Sequence, residues 1–375
     1  MTIVLVIDSF ADKSNGTSMT AFRFAQALQK RGHCVRVVAP FVEGEGYYCV
    51  PELYIPLVTE ISRKQHMVFG KPVKKTLQKA FDGADIVHLF LPFALEITAM
   101  QVAKEMGIPY MAAFHLQPQH ITYNIKLQSL GFLNRFIFWL FKRRFYRHIS
   151  HIHCPSALIA DEITRHGYQG KKYIISNGFD KFYAPPVNKP LSDGLIHIVM
   201  VGRYSNEKRQ DVLIAAIKAS KYAHKIQLHL KGIGPTQERL QKLAASLAYP
   251  VDFGFAQPPA LLKVLHRADI YVHAADVEGE AIACLEAISC GVVPIIADSK
   301  ISATGQFALD ERSLFAAGNA LDLAAKIDYW IDNPIERERM GKLYAQSACK
   351  YTLEASIQKA EQMYQEVIND FKTIK

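Results

Sequence analysis

IYVHAADVEGEAIACLEAISCG, residues 270–291, holds a strand, a turn and a helix in one reading. The run 270–276 is apolar apart from one histidine and ends at Asp276. A helical pattern, AIACLEAISC, starts near Glu280 and stops at Gly291, a residue suited to closing a helix. Strands that are apolar throughout are covered on both faces, which is the habit of parallel sheets. The same stretch sets Glu278 and Glu286 eight places apart in a segment otherwise composed for burial. With Glu278 in the turn beside Gly279 and Glu286 about two turns on, helix geometry alone does not put them on one face. They converge only where the turn folds over the helix start.

The rhythm repeats outward. Strand-like runs are expected at 2–8, 35–39, 86–91, 110–115, 151–155 and 173–176, and again at 197–201, 226–231, 251–255, 270–274 and 292–297. Helical stretches lie between them; in 17–31, Met19, Phe22, Ala25 and Leu28 recur at helical spacing. The alternation predicts an α/β chain with doubly wound parallel sheets. Segment 184–194, APPVNKPLSDG, is rich in proline and polar residues and reads as a linker. The expected domains are 1–185 and 186–352, each Rossmann-like, with a cleft between the carboxyl ends of their sheets. A last helical segment within 353–375 can dock on either domain, a return to the first being one option.

A chain of 375 residues exceeds one ordinary core. No run of 18 apolar residues occurs, and MTIVLVIDSF at the start reads as a strand, not a signal peptide. Six cysteines without CxxC or regular spacing speak against a disulfide framework or a zinc site and for reduced thiols in cytosol. The charge is lopsided. Residues 1–185 hold 22 Lys+Arg against 13 Asp+Glu, while 186–375 hold 22 against 22, so the net +9 sits in the first half. One half therefore faces an anionic partner, a membrane surface or a nucleic acid.

In MVGRYSNEKRQDVL, 200–213, a strand ends at Gly202, Arg203 follows in a polar loop, and Lys208 stands just before a helical pattern. A guanidinium fork, a point cation and helix N–H groups surround an anion site. As isolated residues the two are equally solvated loop cations. Carboxylates such as Glu278 and Glu286 suit sugar hydroxyls; the alternative makes them a helix-end charge and a buried ion-pair partner.

Taken together, residues 195–320 resemble the nucleotide-sugar domain of GT-B retaining glycosyltransferases of family 4. EGEAIACLEAISCG fits the family's E-x7-E segment, and Gly202, Arg203 and Lys208 fit its G-R-x4-K. The resemblance implies that Arg203 and Lys208 hold the donor diphosphate, Glu278 the transferred sugar and Glu286 the ribose. KGIGP (231–235) and DFGF (252–255), with Gly232 and Phe255, fall where the family contacts nucleotide. Glu280 and Ala281 replace the family's Phe and Gly, and with Ile282 they complete the expected donor-binding set. Cations and a helix terminus at the leaving group make metal and cofactor unnecessary in this reading. In the first half, SNGTSMTAFRFAQALQKR (14–31) resembles the family's glycine loop and helix, with Asn15-Gly16 in place of Gly-Gly; Ser14 or Asn15 also serves as a plain N-cap. His115, in AAFHLQPQHITYN (112–124), resembles the histidine that touches the donor sugar, giving the catalytic set His115, Arg203, Lys208 and Glu278.

The acceptor follows from charge and oil. KLQSLGFLNRFIFWLFKRRFYRH, 126–148, mixes bulky apolar residues, Trp139 among them, with Lys126, Arg135, Lys142, Arg143 and Arg144. Such a helix suits a lipid headgroup layer; the plain alternative is a buried helix with a basic rim. A second basic cluster spans 62–75. The expected activity moves a hexose, glucose from UDP-glucose, to a lipid acceptor such as 1,2-diacylglycerol. It acts peripherally on the cytoplasmic face of an anionic membrane, and the resemblance is nearest to glycolipid synthases. The alternatives are a soluble or wall-polymer transferase using GDP-mannose or UDP-N-acetylglucosamine, a basic nucleic-acid-binding module, and a sugar-nucleotide epimerase. No nucleic-acid partner is expected, since the basic helix is oily on several sides and carries no recognised motif.

Overall fold

The computed structural model describes residues 1–10, 16–56, 58–64, 67–124, 127, 130–188 and 191–374. Seven strands form the first sheet: β1 (Thr2–Val6), β2 (Cys34–Pro40), β3 (Tyr47–Val50), β4 (Ile86–Leu89), β5 (Tyr110–Ala113), β6 (His151–Cys154) and β7 (Lys171–Ile174). Their order is β3-β2-β1-β4-β5-β6-β7. Six form the second: β8 (Ile196–Val201), β9 (Ile226–Lys231), β10 (Asp252–Gly254), β11 (Ile270–His273), β12 (Val293–Asp298) and β13 (Leu314–Ala316), in the order β10-β9-β8-β11-β12-β13. Every named pairing among the described residues is parallel.

The apolar runs explain the layers. In the first sheet Val4, Val6, Val87, Leu89, Ala112 and Ile152 pack to one side. Ile3, Leu5, Ile7, Ile86, Phe90 and Met111 pack to the other, under the helix Gly16–Lys30 through Phe24, Ala25 and Leu28. Neighbouring residues point to opposite faces, and both faces are dry. Two compact units result. One comprises Met1–Thr122, Leu127–Gly178 and Leu353–Lys375; the other holds Phe179–Thr352.

The helix Leu353–Ile374 belongs to the first unit. Ile357, Ala360, Met363, Tyr364 and Val367 form its buried stripe on the Phe24 side of the sheet. Polar contacts fix its register. Arg31 and His33 meet Glu361 at 2.7 and 2.8 Å, Tyr364 Oη and His88 Nδ1 lie 2.9 Å apart, and His151 reaches Asp370 at 2.9 Å.

Two strands have no counterpart in the expected set, β3 (YYCV) and β13 (LFA). Both are sheet edges of three or four residues, too short to show a period. The basic aromatic segment also differs from its simplest reading: its helix runs Gly131–Arg144, and a 3-10 turn, Tyr146–His148, follows. Phe138, Phe141 and Phe145 are buried in the unit's core, while Phe132, Phe136 and Trp139 are 62%, 53% and 50% exposed. The oil thus has two addresses. No helix among the described residues is long and apolar enough to cross a membrane.

Candidate active site

In the second sheet the strand order reverses between β8 and β11, and ligands of doubly wound sheets bind beyond the carboxyl ends of strands at such a point. The loops leaving these two strands carry the residues singled out above. After β8 the chain passes Gly202 and Arg203, makes a 3-10 turn, Asn206–Lys208, and enters the helix Gln210–Ala219. After β11 it runs through Glu278 to the helix Ile282–Ser289.

One backbone bond ties the two loops together, and another ties the second loop to the segment after β12. The Asp276 N–H donates to the Glu207 carbonyl at 2.8 Å, and the Ala303 N–H donates to the Glu278 carbonyl at 2.8 Å. Ser205 Oγ donates to Glu207 Oε1 at 2.7 Å. Arg209 sits at φ 56°, an uncommon left-handed setting for a non-glycine residue, and its Nη1 reaches Asp276 Oδ2 at 2.9 Å. With the turns so tied, Lys208 Nζ donates to Glu278 Oε2; the side chains are only 15% and 13% exposed. Among solvent-exposed ion pairs such a contact would count for little, but here both charges are largely out of water.

The helix begins at Ile282, two residues past Glu280. Glu280 therefore lies buried in the turn and Ala281 caps the helix. Glu286 is buried within the helix. Both Glu278 and Glu286 act on the Tyr271 hydroxyl, held well above its ordinary pKa first by burial, then by Cys284 and these two carboxylates.

A second pair of loops closes in from β9 and β10. At Gly232 a Cβ would stand 2.0 Å from the Gly202 carbonyl oxygen, so no other residue fits without moving the backbone. The Tyr204 phenol donates to the Leu230 carbonyl and accepts the Gly254 N–H. Phe255, just past β10, is 53% exposed and offers a ring face. Arg203 is partly buried, its carbonyl held by Gln210 Nε2 at 2.8 Å.

In the first unit, Gly16 opens the helix Gly16–Lys30; Ser14 and Asn15 lie outside the described residues, as does Lys126. His115 follows β5 by two residues. It is partly buried with Nε2 fully enclosed, Phe90 stacked on it at 5.5 Å and His153 edge-on at 5.2 Å. Burial, with His153 second, holds its pKa well below the ordinary histidine value, so the ring is neutral. Its loop is clamped: Gln117 and Gln119 each donate an amide N–H to the buried Glu162. On the helix Gly131–Arg144, Arg143 lies over the Trp139 ring at 5.3 Å and Phe136 stacks on it at 5.7 Å. Arg135 and Arg144 are exposed as well; Lys142 turns inward, its Nζ 3.5 Å from the His166 carbonyl.

Sequence reasoning passed over His273, Arg209, Asp276 and Glu162. A histidine inside an otherwise apolar strand was the available signal for His273, since a buried polar group needs a partner. Nothing in the local pattern marks the other three.

Residues 14–181 match Glycosyltransferase Family 4, and residues 186–346 match Glycosyl transferases group 1. The chain belongs to the family 4 glycosyltransferases of GT-B fold. As a glycosyltransferase it takes a nucleotide-sugar donor and an acceptor. Over 317 residues, 79% of this chain and 71% of the relative, it is 24% identical to alpha-monoglucosyldiacylglycerol synthase of Streptococcus pneumoniae. It is 56% identical to the catalytic domain of cholesterol-alpha-glucosyltransferase from Helicobacter pylori across 42% of this glycosyltransferase and 99% of that chain, with a TM-score of 0.39. Sucrose-phosphate synthase from Thermosynechococcus elongatus shares the fold at a TM-score of 0.79, covering 98% and 99% of the two chains at 16% identity.

Proposed function

We propose that this glycosyltransferase moves glucose from UDP-glucose, with retention of configuration, to the hydroxyl of a lipid at the cytoplasmic face of a membrane. The observation that carries the reading is the paired Lys208 ammonium and Glu278 carboxylate at the switch point between β8 and β11. In this reading Lys208, with Arg203, holds the diphosphate and offsets charge on it as it departs. Glu278 grips the sugar hydroxyls, Glu286 the ribose, and His115 contributes a neutral ring to the sugar. The new bond forms on the face that the diphosphate leaves. The acceptor O–H gives its proton to the departing phosphate oxygen, so no enzyme nucleophile enters the step.

Two features support a lipid acceptor. One is the S. pneumoniae relative, whose name specifies a glucosyldiacylglycerol product. The other is the face formed by Phe132, Phe136, Trp139 and Arg143, aromatic rings beside a cation, in a half of the chain that carries the whole net +9. Rings and cations of this kind seat a helix at a headgroup layer.

The test is transfer from UDP-glucose, UDP-N-acetylglucosamine or GDP-mannose to dioleoylglycerol or cholesterol in vesicles with and without anionic lipid, read by mass spectrometry and by NMR of the anomeric proton. An α-glucoside of a lipid alcohol, formed faster on anionic vesicles, is expected. Transfer from GDP-mannose alone, a β-linked product or indifference to lipid would each overturn it.

A further inference from the structure

Lys208 has one ammonium and, on the reading above, two claimants. Donor binding draws Nζ toward phosphate oxygens and takes a partner away from Glu278 Oε2. That oxygen has another neighbour. His273 Nε2 lies 3.3 Å from it, within ion-pair reach, but buried and without a hydrogen bond among the described residues of the ligand-free molecule. His273 ends β11 and is 3% exposed, so its ring has little freedom to leave. On the ring's other side, Nδ1 lies 3.4 Å from the Tyr271 hydroxyl. Tyr271 stays protonated, as its raised pKa requires. An O–H that donates to Nδ1 leaves the single ring proton of a neutral imidazole on Nε2, facing Glu278.

Neutrality suits the position. A second cation beside Glu278 would compete for the phosphate, whereas a neutral N–H orients the carboxylate and claims nothing else. Burial holds the His273 pKa below the ordinary value, against the raising effect of Glu278.

We infer that His273 is a positioning residue: through Nε2–H it takes over Glu278 when Lys208 turns to the donor diphosphate, so that the sugar-binding carboxylate stays in place. The inference rests on the roles proposed for Lys208 and Glu278.

Two variants and two readouts test it. His273→Phe keeps a ring and removes the donor; His273→Gln keeps an N–H near the Nε2 position. With the wild type active, His273→Phe lowers kcat about ten- to hundredfold, the range in which small misplacements of a contacting group are felt. Affinity for UDP, which lacks the sugar, stays within about threefold, and His273→Gln recovers most of the rate. In the Glu278→Gln background, His273→Phe adds little, since the two act through one interaction. The second readout needs no turnover. Histidine-ring 15N spectra place the His273 proton on Nε2 in the wild type, and UDP binding shifts that signal in the wild type but not in Glu278→Gln. Unchanged kcat in His273→Phe, UDP affinity falling in step with kcat, or a proton on Nδ1 would overturn the inference. A wild type inactive with every donor counts against the proposed function alone, and the ring spectra then decide the role of His273.

Discussion

Lys208 and Glu278 satisfy each other in the ligand-free molecule, and neither can be removed quietly. On the proposed roles, Lys208→Met takes one partner from Glu278 and deletes a phosphate contact, while Glu278→Gln deletes a sugar contact and weakens the hold on Lys208. Each should lower kcat/KM for UDP-glucose about 10²- to 10³-fold, the usual effect of losing one charge-stabilising group. The double variant should fall short of the product of the two, because the residues share one interaction. Steady-state kinetics on the three proteins reads this directly. A second residue pair governs pH. Asp8 and Glu96 are fully buried and face one another, with Asp8 also accepting the Gly70 N–H. Burial raises Asp8 from 3.8 to about 6. It raises Glu96 well above 4.5, Asp8 adding to the effect, so the pair keeps a proton. Raised folded-state values mean that the stabilisation is complete below about pH 4, where the unfolded carboxyls also hold protons, and is lost as pH climbs through 6 and beyond. Between pH 5 and pH 8 the melting temperature of Glu96→Gln, which mimics the protonated acid, should therefore gain on that of the wild type; the buried His88, His115 and His153, whose lowered pKa values add stability as pH rises, are common to both proteins. The sequence made Glu278, Glu286, Arg203 and Lys208 legible because their spacing is a pattern. It hid Asp8 and Glu96, 88 residues apart, because only the fold makes them neighbours.

At the scale of elements, the helix Leu353–Ile374 is held both by oil and by named polar contacts. Tyr364→Phe removes one hydroxyl and leaves His88 Nδ1 buried without its 2.9 Å partner. A destabilisation of about 1–3 kcal/mol is expected, read as a lower urea midpoint. Glu361→Ala, which breaks a partly exposed ion pair, should cost less, about 1 kcal/mol or under. The helix Gly131–Arg144 makes the opposite prediction. Replacing Phe132, Phe136 and Trp139 by serine touches exposed rings, so stability should hold while sedimentation with anionic vesicles drops severalfold. Retained vesicle binding would remove that face from the proposal. Eleven strands could be read from the sequence, nine of them because central strands of a parallel sheet are apolar on both sides; the edges β7 and β10 were read from the short runs YIIS and VDFGF. β3 and β13 could not: each is an edge strand of three or four residues with a single buried position, too little to separate from a loop.

At the scale of the molecule, the proposed nucleotide site lies at the switch point of the second unit, and a ligand that binds only the folded chain stabilises it by mass action. UDP at about a hundred times its dissociation constant should add about 2.7 kcal/mol, a shift that Lys208→Met should largely abolish in a thermal melt. Two doubly wound domains were legible from two facts of pattern, the strand-helix alternation and its restart after the proline-rich 184–194, and the GT-B fold from the resemblance carried by Gly202, Arg203, Lys208, Glu278 and Glu286. The chain's itinerary was not. One unit is made from Met1–Thr122, Leu127–Gly178 and then Leu353–Lys375, with nearly all of the other strung between. On the ribosome this inverts the order of completion. The part begun first emerges with one flank of its sheet, the side of Phe24 and Met111, covered by the helix Gly16–Lys30 but still lacking the Leu353–Ile374 share of that cover, and must wait while some 170 residues of its companion are translated and folded. A nascent chain stalled before Leu353 should thus present that half-covered flank to chaperones, although its second sheet is already whole.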